Sequence, residues 1–232
     1  MSGEPGAGKT SIVDKIKEYS KNWSFNVRYI SLADACNNVQ FKEKLVSEIG
    51  GANMPGWSAR QGVPRELEKF LVMKNVQVLV IDEFHDLMTV QKAERLKNLS
   101  LLKSLSGDPF KLCLICFGTP AAVNALSIDE QLHRRFSLME ISDWKEDDEF
   151  RSFLAGVEQN LPLKKQSQIY SKEIVRYLLE HSNGKLDAIM GLLRFGAVQA
   201  IISGDERITI GSLETGKRMK WLYDLEQSET QR

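Results

Sequence analysis

The sequence predicts an α/β fold, a parallel sheet covered by helices, with a smaller helical region after it. Three observations carry this reading. Gly3-Glu4-Pro5-Gly6-Ala7-Gly8-Lys9-Thr10 satisfies G-x-x-x-x-G-K-[ST] at every fixed position and opens into an amphipathic run, Ser11 to Tyr19. Val76-Gln77-Val78-Leu79-Val80-Ile81 is a nearly continuous apolar run that stops at Asp82 and Glu83, as does a strand buried on both faces of a parallel sheet. Beyond Trp144 the strand pattern ends and helical spacing takes over.

The glycine-rich turn is the centre of the arrangement. Its glycines let successive backbone N–H groups point inward at phosphate oxygens, and the helix that follows adds its positive end. Lys9 is placed to reach the β- and γ-phosphates of a nucleotide, and the Thr10 hydroxyl to ligate Mg²⁺. Gly3, Glu4, Pro5, Gly6, Ala7, Gly8 and Ser11 complete the cradle. A loop of this kind normally hangs from a central strand, yet only Met1 and Ser2 precede it here. The first strand is therefore expected to be missing, either through truncation or because another segment replaces it; truncation is the favoured reading and implies an open slot, a poorly held loop and weak nucleotide affinity.

Phe25 to Leu32 reads as the next strand. A helix follows with apolar positions Val39, Phe41, Leu45, Val46 and Ile49, ended by Gly50-Gly51, and 51–56 is a loop. Pro64 suits the first position of a helix running Arg65 to Met73. The strand from Val76 then ends in its two acids, where open α/β sheets bind ligands. Asp82 is the candidate for the Mg²⁺ shell and Glu83 for polarising the attacking water.

Leu87 to Leu105 is expected to be helical, its Lys92, Arg95, Lys97 and Lys103 forming a solvated surface. Gly107-Asp108-Pro109 makes a turn before a third buried strand, Lys111 to Gly118. Thr119 at its end either orients the water or caps the helix Pro120 to Leu126, and both roles are compatible. Adjacent Arg134 and Arg135 precede an alternating strand, Phe136 to Ile141. In a ring or filament, one of them could reach a neighbour's γ-phosphate. After Trp144, helices are expected over Asp147 to Val157, Ser171 to His181, Lys185 to Ile202 and Ser212 to Tyr223. The domains are then a core over 1–144, a helical part over 145–223 and a polar tail over 224–232.

Composition narrows the function classes. Lys plus Arg and Asp plus Glu are 31 each, so no global positive field draws the chain to nucleic acid, and any DNA contact must be local. No run of about 18 apolar residues and no secretory leader is visible, so neither a membrane span nor export is expected and the plain inference is a cytoplasmic protein. The three cysteines do not suggest a disulfide framework. Cys113 and Cys116 have C-x-x-C spacing but lie in an apolar strand, where residues three apart face opposite sides.

With the motifs placed, the chain resembles AAA+ ATPases and, among them, the TniB/TnsC family of transposition regulators. The resemblance rests on the Gly3–Thr10 loop, Val80-Ile81-Asp82-Glu83-Phe84-His85-Asp86-Leu87, Phe117-Gly118-Thr119-Pro120-Ala121-Ala122, Asp129-Glu130-Gln131-Leu132-His133-Arg134-Arg135-Phe136, and the position of Trp144. It implies a three-layer αβα core with a small helical lid. It makes Lys9 and Thr10 the Walker A pair and Asp82 and Glu83 the Walker B acids. It also makes Thr119 the polar sensor and Arg135 the arginine finger acting in trans, with Arg134 as runner-up. Asp187 falls where many relatives carry a second sensor arginine, and Lys185 or Arg194 are the available substitutes.

What the resemblance implies for function is an ATP- and Mg²⁺-dependent regulator that self-associates into a ring or helical filament on double-stranded DNA. Such a regulator selects target sites with a target-selection protein and recruits or activates a transposase. Two other readings share the nucleotide motifs: a clamp-loader, helicase-loader or origin-recognition type ATPase, and a degenerate scaffold that does not hydrolyse ATP.

Overall fold

The structure, a computed structural model, describes residues 1–32, 37–49, 65–126 and 134–218. The chain divides into two compact units, Met1–Ile141 and Ser142–Arg232. Residues 33–36, 50–64, 127–133 and those after 218 lie outside the described residues, and with them Cys36, Pro64, the Gly50-Gly51 stop, the expected loop over 51–56, most of the Asp129–Phe136 block and the expected tail.

In the first unit the order is β1 (Ser2–Gly3), α1 (Lys9–Tyr19), β2 (Asn26–Ser31), α2 (Asn38–Ile49), α3 (Arg65–Met73), β3 (Val76–Asp82), α4 (Lys92–Ser106), β4 (Cys113–Cys116), α5 (Pro120–Leu126) and β5 (Glu140–Ile141). Strands β2, β3 and β4 pair in parallel in that order, and β1 pairs in parallel with β5. A parallel bridge from Ser2 to Gly118, just beyond β4, joins the two groups.

Residue alternation along β3 sets up the layers. Val78 and Val80 face one side and pack in a cluster with Val13 of α1 and with Phe117. Leu79 and Ile81 face the other, packing in a larger core with Phe41 and Leu45 of α2, Leu67 and Leu71 of α3, and Leu99, Leu102 and Leu105 of α4. A strand that buries both faces has no room for polar alternation, which explains its unbroken apolar run. The three-layer αβα core follows directly.

The first strand is short rather than missing, which corrects the expectation of an open slot beside the loop. Met1 donates to the Cys116 carbonyl at 2.6 Å, Gly118 to Met1 at 3.2 Å and Gly3 to Gly118 at 3.2 Å, three rungs of a parallel ladder. On the other side Ser2 donates to Met139 at 2.8 Å. Both neighbours bond to these residues. Of the strand expected over Phe136 to Ile141, Glu140 and Ile141 form the part that pairs with β1.

Two other boundaries move for local reasons. Lys111 has φ 50°, a left-handed conformation no strand accommodates, and β4 starts at Cys113. Glu83 has φ 54° and starts a single 3₁₀ turn, Phe84–Leu87, so α4 begins at Lys92 instead of near Leu87. Cys113 is exposed and Cys116 buried, in keeping with their opposite faces.

The second unit holds α6 (Asp148–Glu158), α7 (Lys172–Ser182), α8 (Leu186–Ser203) and α9 (210–218). Asp147 caps α6, its Oδ1 accepting from Phe150 N at 2.8 Å. Phe150, Leu154, Val175, Leu178, Ile189, Leu193 and Leu213 close the core. Trp144 belongs to this unit instead of ending the first: its ring stacks on Phe153 at 4.9 Å between centroids, and its N–H donates to Gly184 O at 2.9 Å. Helix α8 spans 18 residues with mean hydropathy 1.4, long and apolar enough to cross a membrane by those measures alone. It carries Asp187 and Arg194, and its Ile189, Leu193 and Ala197 pack into the unit's core.

Candidate nucleotide-binding site

The glycine loop leaves β1 and enters α1 without a side-chain cap. Gly6 and Gly8 have φ of 80° and 91°, backbone that L side chains rarely adopt, and Gly8 occupies the N-cap of α1. Gly3 is tightly surrounded: a Cβ there would lie 3.1 Å from the Ala7 Cβ and 3.2 Å from that of Ile141. The loop is therefore closely packed at its root and open at its crown, where Glu4, Pro5, Thr10 and Ser11 are exposed.

Lys9 is buried to 8% exposure, and its ammonium donates to the carbonyls of Gly3 at 2.8 Å and Glu4 at 3.0 Å. The charge is held inside the loop by main-chain oxygens. A phosphate arriving at the N-terminus of α1 meets the helix's free N–H groups and offers Lys9 a stronger, oppositely charged partner.

The acids stand on the same edge. In a parallel sheet all carboxyl ends point one way, so Gly3 ending β1, Asp82 ending β3 and Thr119 following β4 share one rim of the first unit. Asp82 Oδ1 accepts from Glu83 N at 2.9 Å, which orients the carboxylate and leaves its second oxygen available. Ahead of the 3₁₀ turn, Phe84 N donates to Phe117 O at 2.8 Å, tying the acid turn to the strand that carries Thr119. At Gly118 a Cβ would lie 3.3 Å from the Ala122 Cβ and 3.4 Å, ordinary contact, from His85 N and the Phe84 Cβ, so the strand end and the acid turn lie side by side. Thr119 is half-buried at the rim of a small apolar pocket of about 70 Å³ lined by Met1, Phe84, Cys116, Ala122 and Phe136.

Among the described residues no cluster of three His, Cys, Asp or Glu side chains could hold a metal ion alone. Mg²⁺ in nucleotide sites binds through one or two protein oxygens together with phosphates and water. Thr10 and Asp82 supply oxygens of the right hardness.

Arg135 has partners within its own chain. Its Nη1 donates to Lys103 O at 3.0 Å and Ser106 Oγ at 3.2 Å, covering the C-terminal end of α4. Arg134 is also exposed. In the second unit Asp187 Oδ1 accepts from Ala188 N at 2.7 Å in the first turn of α8, a local helix-start role, and Arg194 is exposed on the same helix. One contact at the site was not suggested by the motifs: His85 lies with Nδ1 3.2 Å from Glu83 Oε2. Its position in the Asp-Glu-Phe-His block was the only sequence signal.

A parallel sheet whose central strand feeds a Walker A loop, with paired acids and a polar residue on neighbouring strand ends, defines the AAA+ ATPase class. Solved structures share this fold. The ORC2 protein of Aeropyrum pernix in its ADP form aligns with TM-score 0.64 and 14% identity over 93% of this chain and 60% of that one. A Walker-type ATPase of Pyrococcus abyssi aligns with TM-score 0.62 and 15% identity, covering 99% of this chain and 69% of its own. Drosophila ORC bound to DNA gives TM-score 0.62 at 14% identity, over 93% of this chain and 53% of that one. The chain thus spans about 60% of the first of these proteins. A search of curated proteins finds no match. Within the class, the chain belongs to the TniB family: residues 1–146 match the family described as bacterial TniB protein.

Proposed function

We propose that this protein is an ATP-dependent regulator of transposition that assembles on double-stranded DNA, selects target sites and recruits or activates a transposase. The observation that carries the reading is a TniB-family chain with Lys9, Thr10, Asp82, Glu83 and Thr119 along one sheet edge. Lys9 binds the β- and γ-phosphates of ATP, the Gly3–Gly8 backbone cradles them, and Thr10 and Asp82 hold Mg²⁺. A Mg²⁺ ion held by these oxygens would supply positive charge against that developing in phosphoryl transfer. Glu83 orients and deprotonates the attacking water, with Thr119 as a second polar contact. Ser11, one residue into α1 beyond Thr10, adds a further hydroxyl to the phosphate side.

Arg135 acts on the nucleotide of a neighbouring subunit, with Arg134 as the alternative, so full turnover needs self-association into a ring or filament. Equal numbers of acidic and basic residues do not prevent DNA binding of this kind. Repeated local lysine contacts along a filament give an affinity that is sensitive to salt and nearly indifferent to sequence. Transposase and target-selection protein are the expected partners, and the cytoplasm the expected location.

ORC2 and DNA-bound ORC among the fold's neighbours favour a second reading, a loader or origin-recognition type ATPase. A third is a scaffold without hydrolysis. One experiment separates the main reading from the scaffold: ATP turnover with and without duplex DNA for wild type and Glu83→Gln. DNA-stimulated turnover that the substitution removes supports the regulator, while no stimulated turnover and no effect of the substitution supports the scaffold. Stimulation of strand transfer by a transposase from the same genetic element separates the regulator from a loader.

A further inference from the structure

We propose that His85 is the positioning residue for Glu83, a role that rests on the ATPase reading. The imidazole Nδ1 lies 3.2 Å from Glu83 Oε2, and Nε2 lies 3.8 Å from Asp86 Oδ1, so the ring stands between two carboxylates. Nδ1 is fully shielded from solvent and makes no aligned hydrogen bond, although Glu83 Oε2 is within reach. A buried ring nitrogen without an aligned partner is costly, and a small rotation of either side chain would complete the bond. Catalytic hydrogen bonds often stay out of line until the substrate is seated, so this geometry suits a contact that tightens on nucleotide binding.

The backbone around the ring is arranged for such a task. Glu83 adopts φ 54° and ψ 39°, a conformation that is costly for a non-glycine residue and has to be held by its surroundings. The holding bonds are visible on both sides of His85. Phe84 N donates to Phe117 O at 2.8 Å, and Met88 N donates to His85 O at 2.8 Å. Further along, Leu87 O accepts from the fully buried Asn98 Nδ2 at 3.4 Å, and Asn98 Oδ1 accepts from Asn38 Nδ2 at 3.1 Å. The turn is thus pinned to β4 and α4, and the imidazole is presented from a rigid support. A glutamate free to rotate would spend much of its time away from the water it must orient. On this proposal the imidazole restricts that rotation once a small turn of either side chain lets Nδ1 donate to Glu83 Oε2.

The test uses the intact chain with duplex DNA and compares wild type, His85→Phe, His85→Asn and Glu83→Gln. Asparagine places a donor where Nδ1 stands, and phenylalanine keeps the ring's shape without one. His85→Phe is expected to lower kcat about 10-fold or more with KM for ATP within about 2-fold, and His85→Asn to restore most of kcat. A second readout needs no turnover: in ¹⁵N spectra of the imidazole, the Nδ1 signal of His85 is expected to move in Glu83→Gln. Unchanged or raised kcat in His85→Phe, loss of KM and kcat together without rescue by asparagine, or an unmoved Nδ1 signal each overturns the proposal. If wild type and Glu83→Gln are equally inactive, the ATPase reading fails and the catalytic role of His85 fails with it. Wild-type turnover lost in Glu83→Gln but kept in His85→Phe removes only the His85 role.

Discussion

The ammonium of Lys9 donates to the carbonyl of Gly3 at 2.8 Å, so its charge closes the loop on its own root. With Glu4 O at 3.0 Å, the contact keeps the charge satisfied at 8% exposure. On the proposed function, nucleotide binding would exchange these two carbonyl partners for phosphate oxygens, with a net gain equal to the difference between them.

Lys9→Ala removes that exchange. Charge-assisted bonds contribute about 1.5–3 kcal/mol, so nucleotide affinity is expected to fall roughly 10- to 100-fold. DNA binding that depends on ATP should disappear with it. Fluorescent-nucleotide titration and a DNA-binding assay with and without ATP read the two effects, and unchanged DNA binding in the presence of ATP would count heavily against the proposed function.

Arg135→Ala separates two roles of one side chain. Loss of a trans-acting arginine lowers turnover by roughly 10³-fold or more while leaving nucleotide binding to isolated subunits nearly intact. Loss of the bonds to Lys103 O and Ser106 Oγ costs about 1 kcal/mol of stability. Turnover and denaturant unfolding measure them independently. A stability loss with normal turnover assigns Arg135 to the end of α4 and moves the finger to Arg134.

Gly184→Ala tests the root of the helical unit. Gly184 has φ +76°, and a Cβ there would lie 2.4 Å from Trp144 O. Left-handed backbone and the overlap together are expected to cost about 2–5 kcal/mol. Calorimetry should show the second unit's transition moving down, with nucleotide binding by the first unit retained.

Burial pushes the Cys116 thiol from 9.0 up to about 12. In a Cys36→Ser background a maleimide at pH 8 should label exposed Cys113 and spare Cys116 until the protein unfolds. The sign of the pH effect follows from linkage. The unfolded thiol ionises above its ordinary 9.0, while the folded one keeps its proton to about 12, so its contribution to stability is whole below pH 9.0 and is lost as pH rises toward 12. Cys116→Ala should flatten that part of the alkaline stability profile, as read by urea unfolding at stepped pH.

Much of this molecule was legible in the order of its residues. The loop Gly3–Thr10 is legible as a phosphate-binding pattern because every part of it is local: glycines, with positive φ at Gly6 and Gly8, then a lysine and a hydroxyl at fixed spacing. Strand β3 is equally plain, since burial on both faces leaves only apolar side chains until the acids Asp82 and Glu83. Helices α6, α7 and α8 begin one residue after their expected starts, because Asp147, Ser171 and Lys185 occupy N-caps.

What only the tertiary structure decided depends on partners distant in the chain. A strand as short as Ser2–Gly3 has no periodicity to read, and it exists because Gly118, Cys116 and Met139 bond to it from both sides. Whether Arg135 faces inward or outward depends on the end of α4, and the pairing of His85 with Glu83 depends on a left-handed turn that β4 and Asn98 hold in place. Local chemistry is written in neighbouring letters, so the sequence alone determined the phosphate loop, the acid-tipped strand and the helical second unit. Register, strand length and the direction of a side chain are set by contacts across the sheet, which no single stretch of sequence contains.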